Sequence, residues 1–229
     1  MSLNDELEPK ITLRRNFLLR LLAAGAFAST ANLRAAEQNT APARSIHLLE
    51  GTVYVNGIKA TKDTQITSND MIKTAKNGRI VFTVGHDAFI LRNNSELTLS
   101  SNDLLVGALR LLTGKMLAAF GKSKHQISTT TAVLGIRGTG VYVEASPELT
   151  YFCTCYGVTE IKGIHDANFV ETVNSKHHDA PKYITQNGEI KPAPFINHTD
   201  EELMLIESLV GRTTPFAAFD DDYSGPSKY

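Results

Sequence analysis

Two cysteines and a pair of adjacent histidines are the side chains in this sequence best suited to chemistry. Cys153 and Cys155, the only cysteines, stand two apart in Tyr151–Tyr156, a run that reads as a strand. Successive strand residues point to opposite faces, so both thiols share a face with Tyr151 while Phe152, Thr154 and Tyr156 take the other. His177 and His178 follow, with His198 farther along. Soft thiolates with imidazoles suit zinc or copper, and a closed metal site needs four such ligands. The same spacing also fits a local redox pair, a tight C-x-C disulfide, or two small buried hydrophobes. Cys153, Cys155, His177 and His178 are therefore candidate ligands for zinc or copper, and no other cofactor is expected. A metal site would require deprotonated thiols and a loss of stability on chelation, whereas buried thiols require neither.

Other chemistry is thinly signalled. Gly135, Gly138 and Gly140 surround Ile136, Arg137 and Thr139, but a phosphate-cradling loop opens a helix, and Val141-Tyr142-Val143 are strand formers. Those glycines read as a turn or as close backbone packing. A chance match of Gly-Ile-Arg-Gly to a GXXG loop lacks basic surroundings. No Gly-x-Ser-x-Gly, His-Glu-x-x-His or twin CxxC motif occurs, so the chain is not read as an enzyme. His86, between Gly85 and Asp87, reads as a turn residue.

The elements that must position these residues are mostly strands. From Ser45 to about Lys162, short β-branched and apolar runs are separated by Gly, Asn and Asp, the pattern of an all-β unit. Thr52–Val55 meets Asn56-Gly57, which favours a tight hairpin into Ile58–Ala60. Asn77-Gly78 precedes Arg79–Val84, and Gly85-His86-Asp87 separates that run from Ala88–Leu91. Glu96–Leu99 alternates polar with apolar, as a half-buried strand does. The leucines of Asp103–Phe120 fit either a helical stripe or a pair of strands broken at Gly114, and strands are the preferred reading. Val141–Glu144 and Tyr151–Tyr156 flank a Ser146-Pro147-Glu148 turn, and Gly157 is expected to end the second of them before Val158–Ile161. In the tail, Thr199 with Glu202 forms a capping box, with Leu203, Ile206 and Val210 on one face and Gly211 as the stop, so a helix is expected near 200–210. Asp220–Asp222 and Ser224-Gly225-Pro226 read as a mobile end.

The first 36 residues must be set apart from the fold. Basic residues at Lys10, Arg14 and Arg15 precede an apolar run from Phe17 to about Ala28, followed by small residues near Ala31 and Ala36, the three-part pattern of an export signal. Arg14, Arg15, Phe17 and Leu18 match a twin-arginine motif, although Leu13 and Leu19 depart from it. The apolar run contains Arg20 and falls short of the roughly 20 residues of a membrane-spanning helix, so no permanent span is expected. The expected location is the periplasm. Residues 37–44, rich in Ala, Gln, Asn, Thr and Pro, read as a linker, which leaves a β domain at 45–162 and a C-terminal extension at 163–229. Of the 23 basic and 24 acidic residues, five and three precede Ala36, leaving 18 and 21 and a formal charge of −3. Neither that balance nor any local run supplies a nucleic-acid surface.

The segment from Ser45 to about Ile161 resembles the FecR domain family of periplasmic modules. The resemblance is carried by Glu50-Gly51-Thr52-Val53, Thr74–Gly78, Leu112-Thr113-Gly114, Thr131–Val141 and Tyr156–Ile161. It implies an all-β, solenoid-like or roll-like fold without known catalysis, to which the tail adds the short C-terminal helix. Regulators of that family carry an N-terminal cytoplasmic domain, for which the short leader leaves no room, so sigma-factor regulation is not expected. The resemblance suggests a binding, sensing or signalling module whose partner is an envelope protein, polymer or small ligand. The alternative is a metal- or redox-responsive protein built on the Cys-Thr-Cys and His-His elements.

Overall fold

The structure, a computed structural model, describes residues 44–101, 107–164 and 166–217. The export signal with Arg14, Arg15, Phe17 and Leu18, the linker apart from Arg44, and the terminal stretch from Asp220 lie outside the described residues.

Among the described residues the chain is all-β with one helix, as expected. Its strands are β1 (Ile46–Glu50), β2 (Val53–Val55), β3 (Ile58–Lys59), β4 (Met71–Thr74), β5 (Arg79–Val84), β6 (Asp87–Leu91) and β7 (Glu96–Ser100). Then follow β8 (Ala108–Ala119), β9 (Lys124–Ser128), β10 (Ala132–Ala145), β11 (Leu149–Gly163), β12 (Asp166–Ser175), β13 (Lys182–Thr185) and β14 (Ile190–Pro192), and finally α1 (Asp200–Leu209). They form one 14-stranded sheet whose path runs β14-β13-β11-β10-β9-β8-β7-β4-β2-β3. Strands β5 and β6 branch from β8, and β1 pairs β5. The sheet does not close into a barrel, so the β domain is an open roll. Among the described residues, no helix is long and apolar enough to cross a membrane.

Local chemistry explains the short elements. Asn56 and Gly57 both take positive φ, 52° and 79°, and join β2 to β3 as the expected hairpin. In β7, Leu97 and Leu99 are buried while Glu96 and Thr98 are partly exposed, as its alternation requires.

Two glycines do not break strands where the sequence suggests they would. Gly114 lies inside β8 with φ 98°, and a Cβ there would sit 2.1 Å from Ser95 Oγ. The strand bends instead of ending: its first half pairs β7 and its second half pairs β6 and β10. Gly157, at φ 89°, likewise lies inside β11, which continues to Gly163. Both are bulge-type positions, where a glycine absorbs the kink while the ladder resumes.

The central strands are apolar on both faces. Ile80 and Phe82 of β5, Met116 and Ala118 of β8, Val141 and Val143 of β10, and Phe152 of β11 fill the interior of the roll. Their alternates, Val81, Leu117, Ala119, Tyr142, Tyr151, Cys153 and Cys155, form a second cluster with Leu203 and Ile206 of α1. The strap from Ala193 through α1 to Phe216 therefore covers the outer face of the sheet, which would otherwise expose a contiguous apolar patch.

The strap is held by charge as well as packing. Thr199 caps α1 by accepting from the Glu202 amide. Glu202 does not reach back to complete the capping box. Its carboxylate takes Arg92 at 2.7 Å and Arg79 at 3.3 Å, because charge-assisted bonds to two guanidinium groups outweigh one backbone bond at the helix end.

Candidate metal centre

The site is assembled from three pieces of chain. Strand β11 supplies Cys153 and Cys155, which share the outer face as the two-residue spacing demands and are fully buried. The turn after β12 supplies His177 and His178. Asp179 organises that turn by accepting from the Lys176 amide at 2.6 Å and the His177 amide at 3.3 Å. The His178 amide donates to the Cys155 carbonyl at 2.9 Å, which fixes the turn against the cysteine strand. The strap supplies His198, immediately before the α1 cap. His178 and Asn197 both hold left-handed backbone, φ 54° and 60°, an uncommon conformation for non-glycine residues that concentrates at functional sites.

Ligand atoms of Cys153, Cys155, His178 and His198 all lie within 4.8 Å of one another, and all four residues are buried. His177 is not in this group. It joins His178 and Asp200 in a second one, with His177 Nε2 and His178 Nε2 each 2.9 Å from one carboxylate oxygen of Asp200.

Hydrogen bonds decide which ring nitrogens face the centre. His198 Nδ1 lies 2.7 Å from the Ile196 carbonyl, which can only accept, so Nδ1 carries the proton and Nε2 presents a lone pair. His178 Nε2 donates to Asp200, so its Nδ1 turns inward. That Nδ1 lies 3.1 Å from His198 Nε2 and 3.4 Å from Cys153 Sγ. Two nitrogen lone pairs so close repel unless a cation lies between them, and only a proton or a metal ion fits.

Without metal, the cation is a proton. Burial would raise the Cys153 thiol, but hydrogen bonds from Cys155, His178 and His198 hold it well below the ordinary thiol range. Burial would lower His178, but Cys153 and Asp200 raise it on balance. Both shifts favour the charge-separated form of the pair, thiolate beside imidazolium, over the neutral one. Burial and the neighbouring Cys153 push Cys155 well up, so it stays a thiol.

The spacing also suits a metal. Zinc bonds of about 2.0–2.1 Å to nitrogen and about 2.3 Å to sulfur give tetrahedral edges of about 3.3 Å between nitrogens and about 3.5 Å between nitrogen and sulfur. The measured 3.1 and 3.4 Å sit close to both. A two-thiolate, two-imidazole set with carboxylate and carbonyl acceptors behind the imidazoles matches the donors zinc takes in closed sites. Rings hold the imidazoles in place: His198 stacks on Tyr142 at 4.4 Å, and Phe195 lies 4.6 Å from His178.

The sequence singled out both cysteines and His178 and noted His198 only as farther along. In the sequence Asp200 signals only a first-turn helix acid. Its position in the first turn, with acids expected beside a helix N-terminus, carries no signal that it would orient a distant imidazole.

Fold and site together define an open all-β roll with a buried Cys2His2 set beneath a C-terminal strap. No protein-family model and no curated protein matches the chain. Among solved structures it is similar to two crystal structures of a candidate anti-sigma factor from Parabacteroides distasonis. One is 13% identical with TM-score 0.45, over 54% of this chain and 58% of that one. The other is 12% identical with TM-score 0.47, over 60% and 64%. The chain spans about three fifths of the length of these relatives.

Proposed function

We propose that this protein is an exported, FecR-like β module of the cell envelope that responds to zinc through Cys153, Cys155, His178 and His198. The observation that carries the reading is the convergence of two thiols and two hydrogen-bond-fixed imidazole nitrogens in one buried volume. The leader pattern supports export to the periplasm, and the glycine and strand order from Ser45 to Ile161 supports the FecR likeness. A closed set of four protein ligands leaves no open position for substrate, which supports a structural or sensing role rather than a catalytic one.

The response lies in what the ligands join. Cys153 and Cys155 belong to the sheet, and His198 belongs to the strap that covers it. A metal bound by all four would fasten strap to sheet, and its loss would loosen α1 and bare the outer apolar face to a partner in the envelope. His177 acts with Asp200 in orienting His178 rather than as a ligand.

The test is metal content of protein purified from the periplasm. One zinc per chain is expected, lost in Cys153→Ser/Cys155→Ser and in His178→Ala/His198→Ala, and retained in His177→Ala. Metal-free protein that takes up no zinc would overturn the reading, and copper in its place would keep the site and change the ion. Replacing Arg14 and Arg15 with lysine checks the export route separately, with unprocessed precursor in the cytoplasm as the expected result.

A further inference from the structure

Strands β9, β10 and β11, with the turn before β9, line a cleft of about 670 Å3 that shares no residue with the metal centre. Three basic side chains, Lys122, Lys124 and Arg137, surround it with one acid, Glu160. None of the three cations makes an ion pair or a side-chain hydrogen bond among the described residues.

The strand register forces this crowding. Arg137 lies directly opposite Lys124 in the antiparallel β9–β10 pair. Directly opposed residues share a face with Cβ atoms roughly 4.5–5.5 Å apart, and like charges there repel. In the neighbouring row, Gly135 lies between Gln126 and Glu160 and supplies no side chain to fill the space. A Cβ on Gly138 would lie 3.5 Å from the Lys122 Cα, so the third cation is brought against the same stretch of β10. The base is rigid: His125 is buried, with Nε2 3.0 Å from Asp87 and Nδ1 3.1 Å from the Ser123 carbonyl.

Three cations and one carboxylate leave two positive charges unbalanced around a cleft, which is the charge complement of a phosphate monoester dianion. We propose that this cleft binds a phosphate-bearing ligand. Arg137 presents its fork to two phosphate oxygens, Lys122 and Lys124 close on the others, and Glu160 accepts from a hydroxyl on the organic part. A carboxylate ligand would neutralise only one of the two charges.

The experiment is an NMR titration of the full chain at constant ionic strength with inorganic phosphate, glycerol 3-phosphate and sodium chloride. Phosphatidylcholine vesicles with and without phosphatidic acid serve for sedimentation. Both phosphates should saturably shift the amides of Gly135, Arg137 and Gly138, and chloride should not. Lys124→Ala and Arg137→Ala, both at exposed positions, should each weaken binding about tenfold or more, the loss of one charge-assisted contact. Co-sedimentation that needs phosphatidic acid and Arg137 would identify a lipid headgroup as the source, and shifts with soluble phosphates alone would identify a free ligand. Equal shifts with chloride, no shift with either phosphate, or unchanged affinity in both variants would overturn the proposal.

Discussion

Adding zinc to metal-free protein should raise its melting temperature, by an amount set by the zinc concentration relative to its dissociation constant. The separations of 3.1 Å between the two imidazole nitrogens and 3.4 Å between nitrogen and sulfur lie within a few tenths of an ångström of the tetrahedral values. Zinc at 100 times its dissociation constant should stabilise the fold by about 2.7 kcal/mol. For a chain of this size, each kcal/mol moves the midpoint by about 2–4 °C, so the expected rise is about 5–11 °C. Differential scanning fluorimetry with and without zinc, and after a chelator, measures it. Cys153→Ala/Cys155→Ala removes both thiolates without burying a new hydroxyl, and its midpoint should not respond to zinc. If zinc and chelator leave the wild-type midpoint unmoved, the four residues are a proton-filled core cluster and the metal reasoning is wrong. An equal rise in the double variant would place the zinc elsewhere.

Asp200→Asn should lower zinc affinity about 10–100-fold while leaving one metal bound at saturation, since it weakens the carboxylate behind His178 and removes no ligand; competition with a chromogenic chelator reads this out. Chelation should speed amide exchange across the strap from Ala193 to Arg212 and leave β5, β6 and β8 protected, which hydrogen-exchange mass spectrometry would check. Gly140→Ala should destabilise by about 1–3 kcal/mol, because its Cβ would lie 2.7 Å from the Tyr156 ring and 2.9 Å from Leu203; a denaturant midpoint close to wild type would contradict that packing. Burial raises Glu207, with Arg212 opposing. An acid with a raised folded value contributes stability that is full below the ordinary carboxylate value and lost as pH rises through the folded one. Wild type should therefore gain on Glu207→Gln as pH falls from 7 towards 4.5, and the opposite trend in paired melts would refute the assignment.

Features of period two and of local turn chemistry were legible in the sequence. The hairpin at Asn56-Gly57, the alternation of Glu96–Leu99, the shared face of Cys153 and Cys155, and the Thr199 cap each depend on residues a few positions apart. Local rules failed at Gly114 and Gly157, where the same glycine that ends an isolated strand absorbs a bulge within a sheet paired on both sides. Strands β12 to β14 went unread, although Asn187-Gly188 between β13 and β14 is the same turn pair that joins β2 to β3. The metal set is the sharpest case. Sequence spacing brought two thiols together, but the choice between His177 and His178 depended on Asp200, and His198 reached the centre only because the strap folds over the outer face of β11. That docking is decided by burial of an apolar sheet face and by Arg79 and Arg92 meeting Glu202 more than a hundred residues away. Contacts of such separation leave no periodic trace along the chain, so only the tertiary structure could bring the fourth ligand in.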